Sequence, residues 1–458
     1  MNIKIIESVP EKETYFSEYN LDYGTAPMST GLGVVNIYDD ITFQEILGFG
    51  AAFTESAAYN YSKLTPEQKK DFLEKHFSKT NGIGYNFGRT HINSCDFSLD
   101  IYTYVEKGDK TLETFNIDRE KKYVIPFIKD ALDYCDNDIF LFSSPWSPPD
   151  YMKDNESIIG GGRLKEEYKK IWALYYAKYI KAFLAEGIKI SAISVQNEPI
   201  ETQPWESCNY TAEEERDFIE QYLAPVFDEE GLSHIKFIIW DNNKERVYDR
   251  AKTVLSSQKV NERVWAVGYH WYTGDHYEGP ALVTNFLNKP TICTEFCRGI
   301  IEDFNESAAR YAREMCQNLN NYTIASCDWN ILLSTNGGPF HNRTAEAKAV
   351  AGKIYESKNG GCAAPVLYDN ETKQLVYTPI YYYIGHFSKF IEKGAVRVGL
   401  TKFDDSFYTC AFKNPNGDIA CVILNPTGKE LPVMLRHNGN CTEIKLKPNS
   451  IITAIISE

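Results

Sequence analysis

A (β/α)8 TIM barrel of the α/β class, with a side β-sandwich built from both chain ends, is the fold this sequence predicts, on three observations. Eight short apolar runs alternate with amphipathic stretches between about residues 46 and 390, and eight is the number a closed barrel needs. Two of these runs, within Ser191–Pro199 and Pro290–Gly299, end in Glu198 and Glu295, the strand ends where barrels carry their chemistry. The flanks, Met1–Asp40 and Ala395–Glu458, alternate apolar and polar residues instead, the period of half-buried strands.

Taken in order, the barrel strands are expected within Ile46–Thr54, Gly84–Ser94, Ile139–Trp146, Ile188–Pro199, Ile235–Asn242, Val264–Tyr272, Pro290–Phe296 and Ile324–Ser334. Each is rich in β-branched and aromatic residues and lacks strict alternation, as strands buried on both faces do. Between the first two, Thr65-Pro66-Glu67-Gln68 is a capping box with proline at the first helical position. Between Glu166 and Glu186 the residues Trp172, Tyr175, Tyr176, Tyr179 and Phe183 form one helical stripe, with Gly187 placed as the stop; that stripe is expected to pack against the barrel. Thr211 with Glu214 repeats the capping logic after the fourth strand. In the side domain the clearest strands are Ser406–Phe412, Ile419–Leu424 and Ser450–Ile456, the first two separated by the turn Asn414-Pro415-Asn416-Gly417. The expected division is residues 41–393 for the barrel and 1–40 plus 394–458 for the β-sandwich. No proline-, glycine- or serine-rich linker separates them, which predicts a rigid junction.

Composition narrows the function classes. A net charge of −15 repels polyanions and argues against nucleic-acid partners. No run of 18 apolar residues is present to span a membrane, and the N-terminal stretch has no apolar signal region, so a cytoplasmic protein is expected. Eleven cysteines, scattered and odd in number, read as free thiols. Cys293 and Cys297 bracket Glu295 but lie too far apart along a strand for a short disulfide. No zinc-ligand spacing, P-loop or dinucleotide fingerprint is present, so no metal and no cofactor is expected. Aromatics reach 14%, enough to fill barrel layers and to stack on sugar faces, with core packing taking most of them.

Two carboxylates on distant strands suit hydrolysis of a glycosidic bond. One carboxyl must give the departing oxygen a proton, and the other must trap the developing oxocarbenium ion. Glu198, in Asn197-Glu198-Pro199, is the candidate acid/base; Glu295 is the candidate nucleophile; Asn197 can hydrogen-bond the sugar 2-hydroxyl.

Asn-Glu-Pro after one strand and Thr-Glu-Phe after a later one resemble glycoside hydrolase family 30, the family of acid β-glucosidase (glucosylceramidase). Further likenesses are Gly48 to Ala58, Arg89 with Asn93 to Ser98, Ser144-Pro145-Trp146-Ser147-Pro148-Pro149, His270-Trp271-Tyr272, Asp328-Trp329-Asn330 with Gly337-Gly338-Pro339, and Tyr382 to Ile391, spanning about residues 45–400. The resemblance implies a retaining exo-β-glycosidase acting on β-glucosides, with Glu198 as acid/base and Glu295 as nucleophile. It suggests sugar contacts at Glu55, Arg89, Trp146, Asn197, His270, Tyr272 and Trp329. It also connects the chain with sphingolipid metabolism, although small glucosides suit a cytoplasmic enzyme better. Alternatives are β-1,6-glucanase, β-xylosidase or β-fucosidase action, and more remotely an inactive carbohydrate-binding protein. The family usually carries aspartate where this chain has Glu55, expected to bind distal hydroxyls, and the segment Phe340–Gly361 is long and expected to form a loop over the active-site rim.

Overall fold

The computed structural model describes residues 2–25, 33–341 and 361–457. Eight parallel strands close on themselves in chain order: Gly48–Ala52, Phe87–Ile92, Phe140–Pro145, Ala192–Ser194, Lys236–Asn243, Val264–His270, Thr291–Glu295 and Thr323–Asp328. The eighth pairs with the first, Ala325 opposite Gly48 and Asp328 opposite Ala51, so the barrel has no free edge. Most strands are shorter than their apolar runs because the runs continue into buried loops at the rim; the fifth is as long as its run, shifted by one residue. The run Ile324–Ser334 differs in kind. It divides after Asp328, and Leu332–Ser334 joins a separate three-stranded sheet with Val366–Tyr368 and Leu375–Tyr377. Both pieces are buried, which makes the apolar run continuous; the chain changes direction at Trp329, whose N–H donates to Phe296 O at 3.0 Å.

The N-terminal half of the barrel interior is filled by Phe87, Phe142, Ala192, Ile238, Ala266, Ile292, Ala325 and Cys327, drawn from every strand but the first. The C-terminal half is left to polar groups, and the site is built there. On the outside, Pro66–Phe77 and Ala212–Phe218 both start with the expected capping boxes, at Thr65 with Gln68 and at Thr211 with Glu214. The aromatic stripe of Lys169–Ala185 is buried throughout. Its Tyr176 hydroxyl donates to Val195 O at 2.7 Å, pinning the helix to the loop that leads to Glu198. Gly187 ends it with a φ of +83°, a conformation that favours glycine.

The two chain ends share one ten-stranded sheet. Its order runs Thr14–Asp22, Asn2–Val9, Ser450–Ile456, Ile419–Asn425, Tyr408–Lys413, Val396–Lys402, Gly33–Glu45, Leu431–His437, Asn440–Leu446 and Gly24–Thr25. Alternate residues from nearly all these strands, among them Ile5, Val35, Cys421, Leu435, Ile444 and Ile452, meet in one core, so the sheet folds over itself as a sandwich. The sandwich meets the barrel directly. His386, on the helix Pro379–Ser388, bonds Ser8 Oγ at 2.9 Å and Thr453 Oγ1 at 2.8 Å, and burial pushes its pKa down to about 3. A neutral imidazole thus bridges both chain ends. The helix-like stretch 344–357 within Phe340–Gly361 lies outside the described residues.

Barrel closure leaves no room at Gly50. A Cβ there would sit 1.6 Å from the Phe87 carbonyl oxygen of the neighbouring strand. Gly50→Ala should therefore cost about 3 kcal/mol or more, read as a large drop in the thermal unfolding midpoint; a midpoint within a degree of the parent would contradict the strand approach.

Candidate active site

Six of the residues singled out in the sequence line one cavity of about 420 Å³ at the C-terminal end of the barrel: Trp146, Asn197, Glu198, Tyr272, Glu295 and Trp329. Trp146 and Trp329 are stacked, ring centroids 5.2 Å apart, and form an apolar wall. Asp96, Glu201, Gln203, Trp205, Asn243 and Thr273 line the cavity as well.

Glu198 and Glu295 each present an oxygen within 4.8 Å of the other and of a His270 nitrogen. Glu198 has a φ of +47°, in the left-handed region, at a cost of order 1 kcal/mol. Two backbone bonds hold it there: Asn197 N–H donates to Pro145 O at 2.9 Å, and Glu198 N–H to Asp241 O at 3.0 Å. The loop is thereby fastened to the ends of the third and fifth strands.

Below the carboxylates lie two fully buried cations. Arg89 donates through Nη1 to Glu295 Oε2 at 2.5 Å, through Nη2 to Asn197 Oδ1 at 2.8 Å and Asp241 Oδ2 at 2.9 Å, and through Nε to Ser144 Oγ at 3.0 Å. His270 reaches Glu198 Oε1 at 3.3 Å through Nδ1 and Asp241 Oδ1 at 3.1 Å through Nε2. Burial alone would depress the imidazole. The charge of Glu295 and the bonds to Asp241 and Glu198 outweigh it and lift the pKa to about 10, so both ring nitrogens donate. Asp241 shows the reverse balance: burial opposes its ionisation, but Arg89, then His270 and Ser194, hold it well below the usual carboxylate range. Arg89 and His270 thus act beneath the cavity, through the carboxylates.

Two functional residues carry weaker sequence signals. Asp241 is the extra residue of a bulge in the fifth strand: Trp240 pairs with Gly268 and Asn242 with Tyr269, while Trp240 and Asp241 have φ of +72° and +50°. The bulge turns the Asp241 side chain inward. The signal that could have found it is an apolar run, FIIWD, ending in a carboxylate as the runs before Glu198 and Glu295 do. Asp96 lies in the quoted Asn93–Ser98 segment; its carboxyl is buried with Oδ1 unpartnered, and burial, then the charges of Glu295 and Glu206, push its pKa well above the carboxylate range.

Glu55 opens the helix Glu55–Ser62 and is not among the residues lining this cavity. Arg119 donates to its Oε1 at 2.9 Å and Oε2 at 3.1 Å, and the Leu99 N–H takes Oε2 at 2.8 Å. Three of the roughly four acceptor positions of this carboxylate are thus taken by its own chain, which leaves little room for the expected contact with distal hydroxyls.

Glu198, His270 and Glu295 also have the proximity of metal ligands. A divalent ion there would face a protonated imidazole and a guanidinium, so the donor set suits proton chemistry rather than metal binding.

The His270 proton has a stability consequence. Its folded pKa of about 10 lies above the ordinary value of about 6.5. Its contribution is complete below pH about 6.5 and lost as the pH rises to about 10. Unfolding of the parent chain should therefore become easier across this window, more steeply than for His270→Gln; parallel curves of unfolding midpoint against pH would contradict the assignment.

Comparison with known proteins gives consistent matches. The glycosyl hydrolase family 30 TIM-barrel domain matches residues 46–391, and the family's beta sandwich domain matches residues 394–454. Lysosomal acid glucosylceramidase of Mus musculus is 31% identical over 421 residues, 86% of this chain and 77% of that protein. Among solved structures, SrfJ from Salmonella typhimurium aligns over all of both chains with a TM-score of 0.92 and 29% identity. The endo-beta1,6-glucanase BT3312 aligns over 100% of this chain and 99% of that one, with a TM-score of 0.86 and 25% identity.

Proposed function

Because the chain belongs to glycosyl hydrolase family 30, we propose that it removes β-linked glucose from the end of its substrate, with retention of configuration, through a covalent glycosyl-enzyme on Glu295. The observation that carries this reading is that one oxygen of each carboxyl lies within 4.8 Å of the other. Retaining hydrolysis uses carboxyls about 5–5.5 Å apart, whereas inversion needs about 6.5–9.5 Å to admit a water between them.

The roles follow from the hydrogen bonds. Arg89 and the Tyr272 hydroxyl both donate to Glu295, which assigns it as the attacking carboxylate and Glu198 as the acid/base. Glu198 protonates the departing oxygen while Glu295, held by Arg89 Nη1 and by the Tyr272 hydroxyl at 2.9 Å, attacks the anomeric carbon. As negative charge leaves Glu295 for the new ester bond, Arg89 keeps its second partner, Asp241, and stays in position. Glu198 then takes a proton from water, which releases the sugar with two inversions in sequence. Asn197, oriented by Arg89, faces the 2-hydroxyl, and the Trp146–Trp329 wall covers the apolar face of the ring.

Asp96 takes the distal hydroxyls in place of Glu55. A protonated carboxyl can donate and accept at once, the pattern a pair of vicinal hydroxyls needs. A preference for glucosides rests on this pocket and on the likeness to glucosylceramidase. The polar lining groups Glu201, Gln203, Asn243 and Thr273 favour a hydrophilic leaving group, and with the likeness to an endo-beta1,6-glucanase they support a second reading, β-1,6-glucan cleavage.

A nitrophenyl β-glycoside panel separates these readings. Release from the glucoside alone supports the first; silence with nitrophenyl glycosides and cleavage of β-1,6-linked oligosaccharides supports the second. Glu295→Gln should lose nearly all turnover, because an amide cannot form the ester. Glu198→Ala should spare activated aryl glycosides relative to alkyl glycosides, with azide rescuing it as the β-glycosyl azide; equal loss on both substrate types would count against the acid role. Asp96→Ala should lower kcat/KM about 100-fold or more and Asp96→Asn distinctly less, since the amide keeps a donor and an acceptor. The same loss in both variants would mean that the ionised carboxylate is what binds.

A further inference from the structure

Two thiols stand in the wall of this cavity. Cys297, two residues beyond the nucleophile, and Cys362 both line it, both are half-buried, and their sulfurs are 3.4 Å apart. The backbone already holds the pair together: Ala363 N–H donates to Arg298 O at 2.8 Å, Ile300 N–H to Gly361 O at 3.0 Å, and Gly299 and Cys362 form an antiparallel bridge. A disulfide bond is about 2.0 Å long, so closure needs a sulfur movement of roughly 1.4 Å. The other close pair, Cys316 and Cys410 at 4.0 Å, is fully buried and out of reach of an oxidant.

The same thiols connect to the nucleophile. Glu295 accepts from the Tyr272 hydroxyl, so the Tyr272 oxygen in turn accepts from the Cys297 thiol at 3.4 Å, and the Cys297 sulfur accepts from the thiol of Cys362. We propose that Cys297 and Cys362 are a modification site, closed by small disulfides or peroxides into a reversible disulfide that slows turnover. The Sγ–Sγ bond forms as the two thiols give up two protons and two electrons. A small disulfide is thereby cleaved to two thiols, or a peroxide to two hydroxyl products. Both S–H groups disappear, the Tyr272 oxygen loses its donor, and the cavity wall is drawn together beside Glu295. Cys362 alongside and burial both push the Cys297 thiol pKa well up, which slows exchange initiated by Cys297.

The bond itself is independent of the proposed function; only its effect on turnover rests on that reading. The test equilibrates the full-length chain in mixtures of reduced and oxidised glutathione, alkylates the remaining thiols and maps peptides by mass. The expected result is a cross-linked pair of peptides carrying Cys297 and Cys362, with kcat on nitrophenyl β-glucoside lowered about fivefold or more and restored by dithiothreitol. In Cys362→Ala the ratio of oxidised to reduced activity should be close to one. Alkylation of both cysteines at every mixture would overturn the proposal, as would a cross-link that leaves kcat and KM unchanged. If the chain proves inactive on glucosides but the cross-link forms, the function reading fails while the modification site stands, with its effect read on the oligosaccharide substrate instead.

Discussion

One guanidinium without contact to water organises the catalytic end of this barrel. Burying Arg89 uncompensated would cost many kcal/mol, and the chain offsets this with Asp241, Glu295, Asn197 and Ser144, contributed by five different strand ends when Arg89 is counted. The position of Glu295, the orientation of Asn197 and, through Asp241, the proton on His270 all follow from that one group. The polar cluster is affordable only because its members satisfy one another, and the same mutual bonding fixes the two glutamates at their separation. Structure and chemistry share one constraint here: the cations that make the buried carboxylates tolerable also hold the one that attacks in the proposed double displacement.

The backbone shows where this arrangement is costly. Glu198, Trp240 and Asp241 all have positive φ, and all three lie at the rim where the fourth and fifth strands end. Such conformations persist when surrounding bonds over-determine them. Here Glu198 N–H is bonded to Asp241 O, so the strained residues hold one another. The regular part of the molecule, including the sandwich fastened through His386, supplies the rigidity against which this strain is kept.

Much of this was legible in the sequence, for identifiable reasons. A strand buried on both faces must be apolar, so the lone carboxylates ending the runs before Glu198 and Glu295 are conspicuous. Capping at Thr65 and Thr211 is local chemistry and reads directly. Asp241 was hidden, although it too ends an apolar run, because its direction depends on a bulge that pairing with the sixth strand creates. Glu55 was only half legible. It follows the first barrel strand, where site residues are expected, but its partner Arg119 lies far along the chain in a segment without any signal of contact. The boundary after Asp328 was obscured because Ile331, Leu332 and Leu333 are as buried as the barrel strand before them.

The central claim is that the approach of Glu198 and Glu295 makes this a double-displacement site. Its most direct test is the anomeric configuration of the first-formed sugar, followed by proton NMR during hydrolysis of an aryl β-glucoside, before mutarotation. The account predicts that the β-anomer appears first and the α-anomer grows in later. Initial release of the α-anomer would mean a single displacement by water, and would contradict the role given to Glu295 and the purpose assigned to Arg89 beneath it.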